Sequence, residues 1–187
     1  MNIDSKNKTG QLFSNNQRKR NLLNQTKSAA CVILSRPGRS PNAEPEILLV
    51  KKAKNLTFMA GYYVFPGGRV SRCDELLSTH ADLNDGPQRS AALRELFEET
   101  GILLGEHHLD IQSKKKLRAD LLENSKAWLN FQQTSPQPLF DPNLHALTAW
   151  LTPPCIPQQY HARYYTYQLS CDEDVEVWPG EIESALW

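Results

Sequence analysis

Hydrophobic positions along the chain gather into short runs separated by turn-forming residues. Ala29-Ala30-Cys31-Val32-Ile33-Leu34 is one such run and Glu46-Ile47-Leu48-Leu49-Val50 is a second. The connection between them, RPGRSPNAEP, is dense in Pro, Gly and Asn, so the pair reads as neighbouring strands across a turn-rich link. A third candidate strand, Gly61-Tyr62-Tyr63-Val64-Phe65, stops at Pro66-Gly67-Gly68. A polar stretch from Val70 to Asp85 follows, and then a predicted helix. Pro87 stands near its start, where a missing N–H matters little, and Gly101 stands where a left-handed cap would end it. Residues 113 to 133 read as helical again, with Leu117, Leu121, Leu122, Leu129 and Phe131 recurring among charges. A proline-rich segment from Thr134 to Pro157 reads as chain wrapping the surface. Tyr160 to Leu169 reads as a strand, alternating around Arg163, Tyr165 and Tyr167, and an acidic stretch, Asp172 to Glu176, comes after it. No internal repeat is visible.

This texture begins at Ser28. Residues 1–27 are rich in Asn, Gln, Lys and Arg without a sustained period, and predict a flexible arm or a short docking helix around Arg18 to Asn24. Arg18-Lys19-Arg20 reads as a solvated basic triplet. Residues 28–187 then form one domain.

Composition narrows the function classes. Hydrophobic residues make up 40% and charged residues 22%, enough apolar side chains for a packed core. Lys+Arg and Asp+Glu are both 21, a balance that argues against a nucleic-acid binder relying on overall phosphate neutralisation. No apolar run approaches the ~20 residues of a membrane-spanning helix, and the opening MNIDSKNKTG lacks the hydrophobic segment of a secretory signal. Cys31, Cys73, Cys155 and Cys171 are scattered with no CxxC pair, the usage of reduced thiols in a cytoplasmic protein.

Candidate chemistry concentrates in Arg94-Glu95-Leu96-Phe97-Glu98-Glu99-Thr100-Gly101-Ile102. At roughly 100° per residue, Glu95, Glu98 and Glu99 fall in one arc of the helix, with Leu93, Leu96 and Phe97 nearly opposite. One side can pack on a sheet while three carboxylates converge on the other. Like charges at these spacings weaken an isolated helix; a bound cation reverses that sign, and hard oxygen ligands suit Mg²⁺ or Mn²⁺. An ordinary solvated acidic face is the plain alternative for the three Glu alone. Their context favours a site: Gly67-Gly68 ends the preceding strand and lets backbone approach a ligand closely, and Arg94 lies one turn before Glu98, placed to brace the cluster.

REL-F-EET-GI resembles the second half of the Nudix signature, in which G, five residues, E and seven residues precede R-E-U-x-E-E-x-G-U (U aliphatic). Phe65-Pro66-Gly67-Gly68 resembles its usual entry. The resemblance extends over residues 28 to 187. It departs from the pattern in one place: Gly68 and Arg94 stand 26 positions apart where the signature has 14, an insertion of 12 within 69–85. Counting six from Gly68 reaches Asp74, followed by Glu75, in place of the expected Glu. FMAGYYVFPGG, the split box, and LTAWLTPP ahead of an aromatic strand with Arg163 resemble the long-insert, coenzyme A diphosphatase-like branch.

The resemblance implies the Nudix fold, an α/β/α sandwich around a mixed β-sheet, with residues 105–150 as a mainly helical insert capping the site. It also implies that Glu181 to Trp187 begins a segment continuing into a final helix. For activity, it implies a metal-dependent hydrolase that splits the diphosphate of a nucleoside diphosphate linked to another moiety, CoA or acyl-CoA leading. Glu95, Glu98 and Glu99 are the implied Mg²⁺ or Mn²⁺ ligands, with a backbone carbonyl near Gly67 or Gly68 beside them. Asp74 is a candidate to pin Arg94. The general base stays open between one of these three glutamates and a carboxylate of a later loop, Asp172, Glu173, Asp174, Glu176, Glu181 or Glu183. Arg163 is a candidate phosphate clamp, and Tyr62, Tyr63, Tyr164 and Tyr165 are candidates to stack on a base. His107 and His108 read as loop residues. A nucleotide-binding module without catalysis is the competing class, and a homodimer stays open.

Overall fold

The computed structural model describes residues 26–40, 42–77, 85–105, 109–134, 141–156 and 158–187. The predicted arm lies almost wholly outside them, as do Arg18-Lys19-Arg20, His107 and His108. Eight strands and four helices are present among the described residues. The strands are β1 (Lys27–Arg36), β2 (Glu46–Ile47), β3 (Leu49–Lys52), β4 (Tyr63–Val64), β5 (Gly67–Arg69), β6 (His145–Leu151), β7 (Tyr160–Gln168) and β8 (Ile182–Leu186). The helices are α1 (Arg72–Leu77), α2 (Gly86–Thr100), α3 (Ile111–Glu123) and α4 (Lys126–Thr134).

A five-stranded mixed sheet runs β2-β1-β7-β6, with β5 also paired to β1. β1 and β7 are parallel, from Lys27↔Tyr160 to Ser35↔Gln168, and the other pairings are antiparallel. A smaller sheet runs β4-β3-β8. β1 is covered on both faces, which is why its sequence is a continuous apolar run instead of an alternating one. Ala30, Val32 and Leu34 turn towards the helices and join the core with Ala92, Leu96, Phe97 and Trp128. Ala29 and Cys31 turn the other way, towards a cavity between the two sheets. The result is the expected α/β sandwich with a mixed sheet.

α2 occupies the predicted span. Pro87 is in its first turn and Gly101 caps it in the left-handed conformation, its N–H donating to the Phe97 carbonyl. Leu93, Leu96 and Phe97 are buried, as their spacing requires.

Several elements differ from the sequence reading. The predicted helix over 113–133 is two helices, broken at Asn124, whose side chain accepts from the Lys126 N–H at the start of α4. The helical insert expected over 105–150 ends with α4, and its last residues are strand β6. That strand was hidden because every side chain in it is exposed, leaving no alternation to read. The insert also does more than cap: Trp128 and Leu121 are core residues. The polar stretch after Val70 contains α1, and Ile182–Leu186, for which no element was assigned, form β8, paired to β3 from Leu49↔Leu186 to Lys52↔Ile182. No described helix is long and apolar enough to cross a membrane.

Candidate active site

The Gly67-Gly68 strand, the carboxylate face of α2 and the end of β3 meet at one end of the cavity. β5 nests there because its first two residues, Gly67 and Gly68, have no side chains. A Cβ on Gly67 would run into the Ala30 carbonyl and Cys31, and one on Gly68 would run into the Glu95 carboxylate. Two of the three α2 carboxylates therefore face the bend directly. Glu95 lies against Gly68, and Glu99 Oε2 accepts from the Gly67 N–H at 3.0 Å.

Cations hold all three. Arg94 reaches Glu95 Oε1 at 2.9 Å and Glu98 Oε2 at 3.1 Å, and Lys52 reaches Glu99 Oε1 at 2.6 Å. Behind Arg94 sits Asp74, fully buried, with Oδ2 3.0 Å from Nη2. Ser71 and Ser90 hydroxyls also donate to Asp74, and Arg94 Nη2 donates to the Arg69 carbonyl at 2.8 Å. Asp74 is thus the acid that anchors Arg94 across the split box.

The electrostatics are strained by this crowding. Burial, then the neighbouring Glu95, pushes Glu98 up to about 8, against the pull of Arg94. Burial pushes Glu99 up to about 7 although Lys52 opposes it. Glu95 is raised by burial as well. Arg94 is driven the other way: burial disfavours its charge, but Glu95, Asp74 and Glu98 outweigh that and hold it firmly protonated.

Of the six acids left open as bases, Glu181 is at the site. It borders the cavity and lies 3.9 Å from Lys52 Nζ. Glu183 instead pairs with Lys51 at 2.8 Å, Asp172 with Arg36, and Glu173 with Lys114 at 4.0 Å. Neither Asp174 nor Glu176 borders the cavity.

Arg163 is corrected by strand geometry. Ala162 and Tyr164 face the cavity, so Arg163 falls on the other face of β7, where Nη1 meets Asp85 Oδ2 at 3.0 Å. It is not placed to clamp a phosphate at the glycine bend. Tyr165 shares that face, is buried and donates to Asp85 at 3.1 Å, so it is not a stacking partner for a ligand. Tyr63 and Tyr164 do line the cavity; Tyr62 does not.

Lys52 and Arg69 are site residues that the sequence reading missed. A signal existed for Lys52: Leu48 and Val50 are buried at alternate positions, so the next inward position along that strand is Lys52. Arg69 directly follows the diglycine and lines the cavity.

The cavity encloses about 740 Å³ between the sheets. Among the described residues no three acidic, His or Cys side chains already surround a common point as a preformed metal cage. The donor set nevertheless suits a divalent cation. Glu181 borders the same region, and the three α2 carboxylates, Glu95, Glu98 and Glu99, are crowded there so that burial disfavours their ionised forms. Hard carboxylate oxygens are the donors that Mg²⁺ or Mn²⁺ prefers.

This geometry can be set beside known proteins. No protein-family profile matches the chain. A Caenorhabditis elegans relative, provisionally named nudix hydrolase 7, is 26% identical over 165 residues, covering 86% of this chain and 50% of the relative. The chain thus spans about half the length of that relative. A crystal structure of a NUDIX hydrolase from Alicyclobacillus acidocaldarius superposes with a TM-score of 0.72 at 25% identity, over 87% of this chain and 78% of the other. The chain has the Nudix fold. A MutT/nudix family protein from Enterococcus faecalis shares it too, with a TM-score of 0.54 at 14% identity over 87% of this chain and 43% of the other. The sequence resemblance is therefore supported at the level of Nudix hydrolases, and the split box with its Asp74 anchor is a variation within the Nudix fold.

Proposed function

We propose that this Nudix chain is a metal-dependent hydrolase that cleaves the diphosphate linkage of a nucleoside diphosphate joined to another moiety. The observation carrying this reading is the carboxylate cluster on α2, packed against a diglycine strand at the polar end of a ligand-sized cavity. Glu95, Glu98 and Glu99, with the Gly68 carbonyl, are the groups that would hold Mg²⁺ or Mn²⁺. When bound, such a cation neutralises phosphate charge and eases loss of a proton from water.

The chain's own residues divide the remaining work. Arg94, fixed by Asp74, orients Glu95 and Glu98. Lys52 and Arg69 offset the charge of the diphosphate as it builds up during attack at phosphorus. Glu181, beside the cluster and outside the Arg94 network, accepts the proton of the attacking water. The resemblance to the coenzyme A diphosphatase-like branch makes CoA or acyl-CoA the leading substrate. A cytoplasmic setting belongs to the same proposal and rests on the four scattered cysteines, all free thiols.

A second reading, a Nudix-fold module that binds a nucleotide without cleaving it, is favoured by one observation: Arg94 and Lys52 already satisfy the three α2 carboxylates. Incubation with Mg²⁺ or Mn²⁺ and a panel of CoA, NADH, ADP-ribose and dinucleoside polyphosphates separates the two. Metal-dependent cleavage of the phosphoanhydride of one of them is expected, releasing a nucleoside monophosphate or, from CoA, adenosine 3′,5′-bisphosphate. Tight binding with no turnover of any would overturn the hydrolase reading in favour of the module.

A further inference from the structure

The cavity is polar at one end only. Its charged lining among the described residues is Lys52, Arg69, Glu95 and Glu181, all gathered at the glycine bend. From there it runs between the sheets past Ala29, Cys31 and Ala162, small side chains that leave the floor open, to Phe58, Met59, Tyr63 and Tyr160. Three aromatic contacts lie along its length. Phe58 and Tyr160 lie 5.1 Å apart, Phe65 meets Tyr164 edge-on at 6.3 Å, and Trp150 extends the wall 5.8 Å from Tyr164. Phe58, Met59 and Tyr63 of the lining are also among the exposed large hydrophobic side chains. Such exposure on a rim of aromatic rings is where a soluble protein covers apolar surface with a ligand.

The geometry points to a ligand whose diphosphate lies at the glycine bend and whose attached group, seated between the sheets, is uncharged and apolar or aromatic. This inference rests on the hydrolase reading for its diphosphate end. Arg69 and Lys52 match the two phosphates, and Arg69 makes no ion pair within 4.0 Å among the described residues. A further phosphate seated between the sheets would meet Phe58, Tyr160 and Met59, none of which carries a positive charge, and its burial there is disfavoured. Ala162 and Phe58 are the specificity-determining residues: the first keeps the floor open and the second supplies a wall.

Calorimetric titration of the full chain with four probes tests this. The probes are inorganic diphosphate, geranyl diphosphate, NADH and 5-phosphoribosyl 1-diphosphate, the last carrying a phosphate at its far end. Geranyl diphosphate and NADH are expected to bind at least about tenfold more tightly than inorganic diphosphate, and the phosphoribosyl compound no more tightly than it. Ala162→Leu, and separately the exposed Phe58→Ala, should erase that gain while leaving the inorganic diphosphate affinity unchanged. Equal affinity for the phosphoribosyl and geranyl compounds, a uniform loss across all probes in both variants, or no binding of any probe overturns the inference. NADH bound but never hydrolysed, in a panel with no other turnover, sinks the hydrolase reading and leaves this one standing. Turnover without an apolar gain sinks this one alone.

Discussion

Arg94 and Asp74 meet in the interior although 20 positions separate them. The guanidinium donates from Nη2 to Asp74 Oδ2 at 3.0 Å and from Nε to both carboxylate oxygens, and Asp74 is fully buried. The contact spans the insertion and holds Arg94 where its other donors reach Glu95 and Glu98. Asp74→Ala leaves that buried cation without its anchor, an expected loss of about 3–5 kcal/mol in unfolding free energy. Asp74→Glu adds a methylene to a site with no room for it, an expected loss of about 1–3 kcal/mol. Denaturant titration of both variants measures this, and an unchanged midpoint for Asp74→Ala would contradict the anchoring role.

Glu98→Gln separates catalysis from folding. Its carboxylate is disfavoured in its ionised form by burial and by Glu95, so a neutral amide of the same shape relieves the fold. The variant is therefore expected to melt no lower than the parent at pH 8. Turnover with the best substrate of the panel should nevertheless fall at least about a hundredfold, roughly 2.7 kcal/mol of lost transition-state stabilisation. A folded variant with near-parental kcat would remove Glu98 from the set of cation-holding groups.

The same crowding sets a pH dependence with a definite sign. Glu98 is raised to about 8 and Glu99 to about 7, both above the ordinary carboxylate value near 4.5. The folded chain therefore holds these protons more tightly than the unfolded chain. Their contribution to stability is complete below about pH 4.5 and is lost as pH rises through about 7 and 8. Added Mg²⁺ or Mn²⁺ competes for the same oxygens, so its stabilisation should be larger at pH 8 than at pH 5. Thermal melts at the two pH values, with and without cation, in the parent and in Glu98→Gln, measure both effects. A cation-induced shift that is equal at pH 5 and pH 8 contradicts the assignment.

What the sequence revealed and what it hid follow from local and non-local causes. α2 was legible because its stop signal, Gly101, and its buried stripe, Leu93, Leu96 and Phe97, are all local. The three carboxylates were legible for the same reason, since helical periodicity alone puts them on one flank. β1 and β7 were legible as strands, but their parallel pairing was not, because register between distant segments leaves no local trace. Arg163 was read with Tyr165 and Tyr167 on one alternation, but which face of that strand meets the cavity has no local signal, and Arg163 lies on the other one, against Asp85. β6 was hidden because its side chains are all exposed, and α1 because six residues carry too little periodicity to stand out. Of six acids open as bases, only topology could single out Glu181, which β8 carries to the cavity by pairing with β3.

The two glycines of the bend should respond differently to the same substitution. At Gly67 a methyl group meets the Ala30 carbonyl and Cys31, backbone and wall of the central strand, so β5 would have to leave β1. Gly67→Ala is expected to destabilise the fold by several kcal/mol, a size reserved for strain at a crowded backbone site. At Gly68 the methyl group meets only the Glu95 carboxylate, the far end of a side chain that can swing aside. Gly68→Ala should therefore fold with a melting temperature close to the parent, yet lose at least about tenfold in kcat, about 1.4 kcal/mol, because Glu95 no longer rests against the bend. Melting curves and turnover for the pair discriminate. A stable Gly67→Ala protein would contradict the strand contact, and a Gly68→Ala protein with full activity would show that the position of Glu95 does not matter to the chemistry.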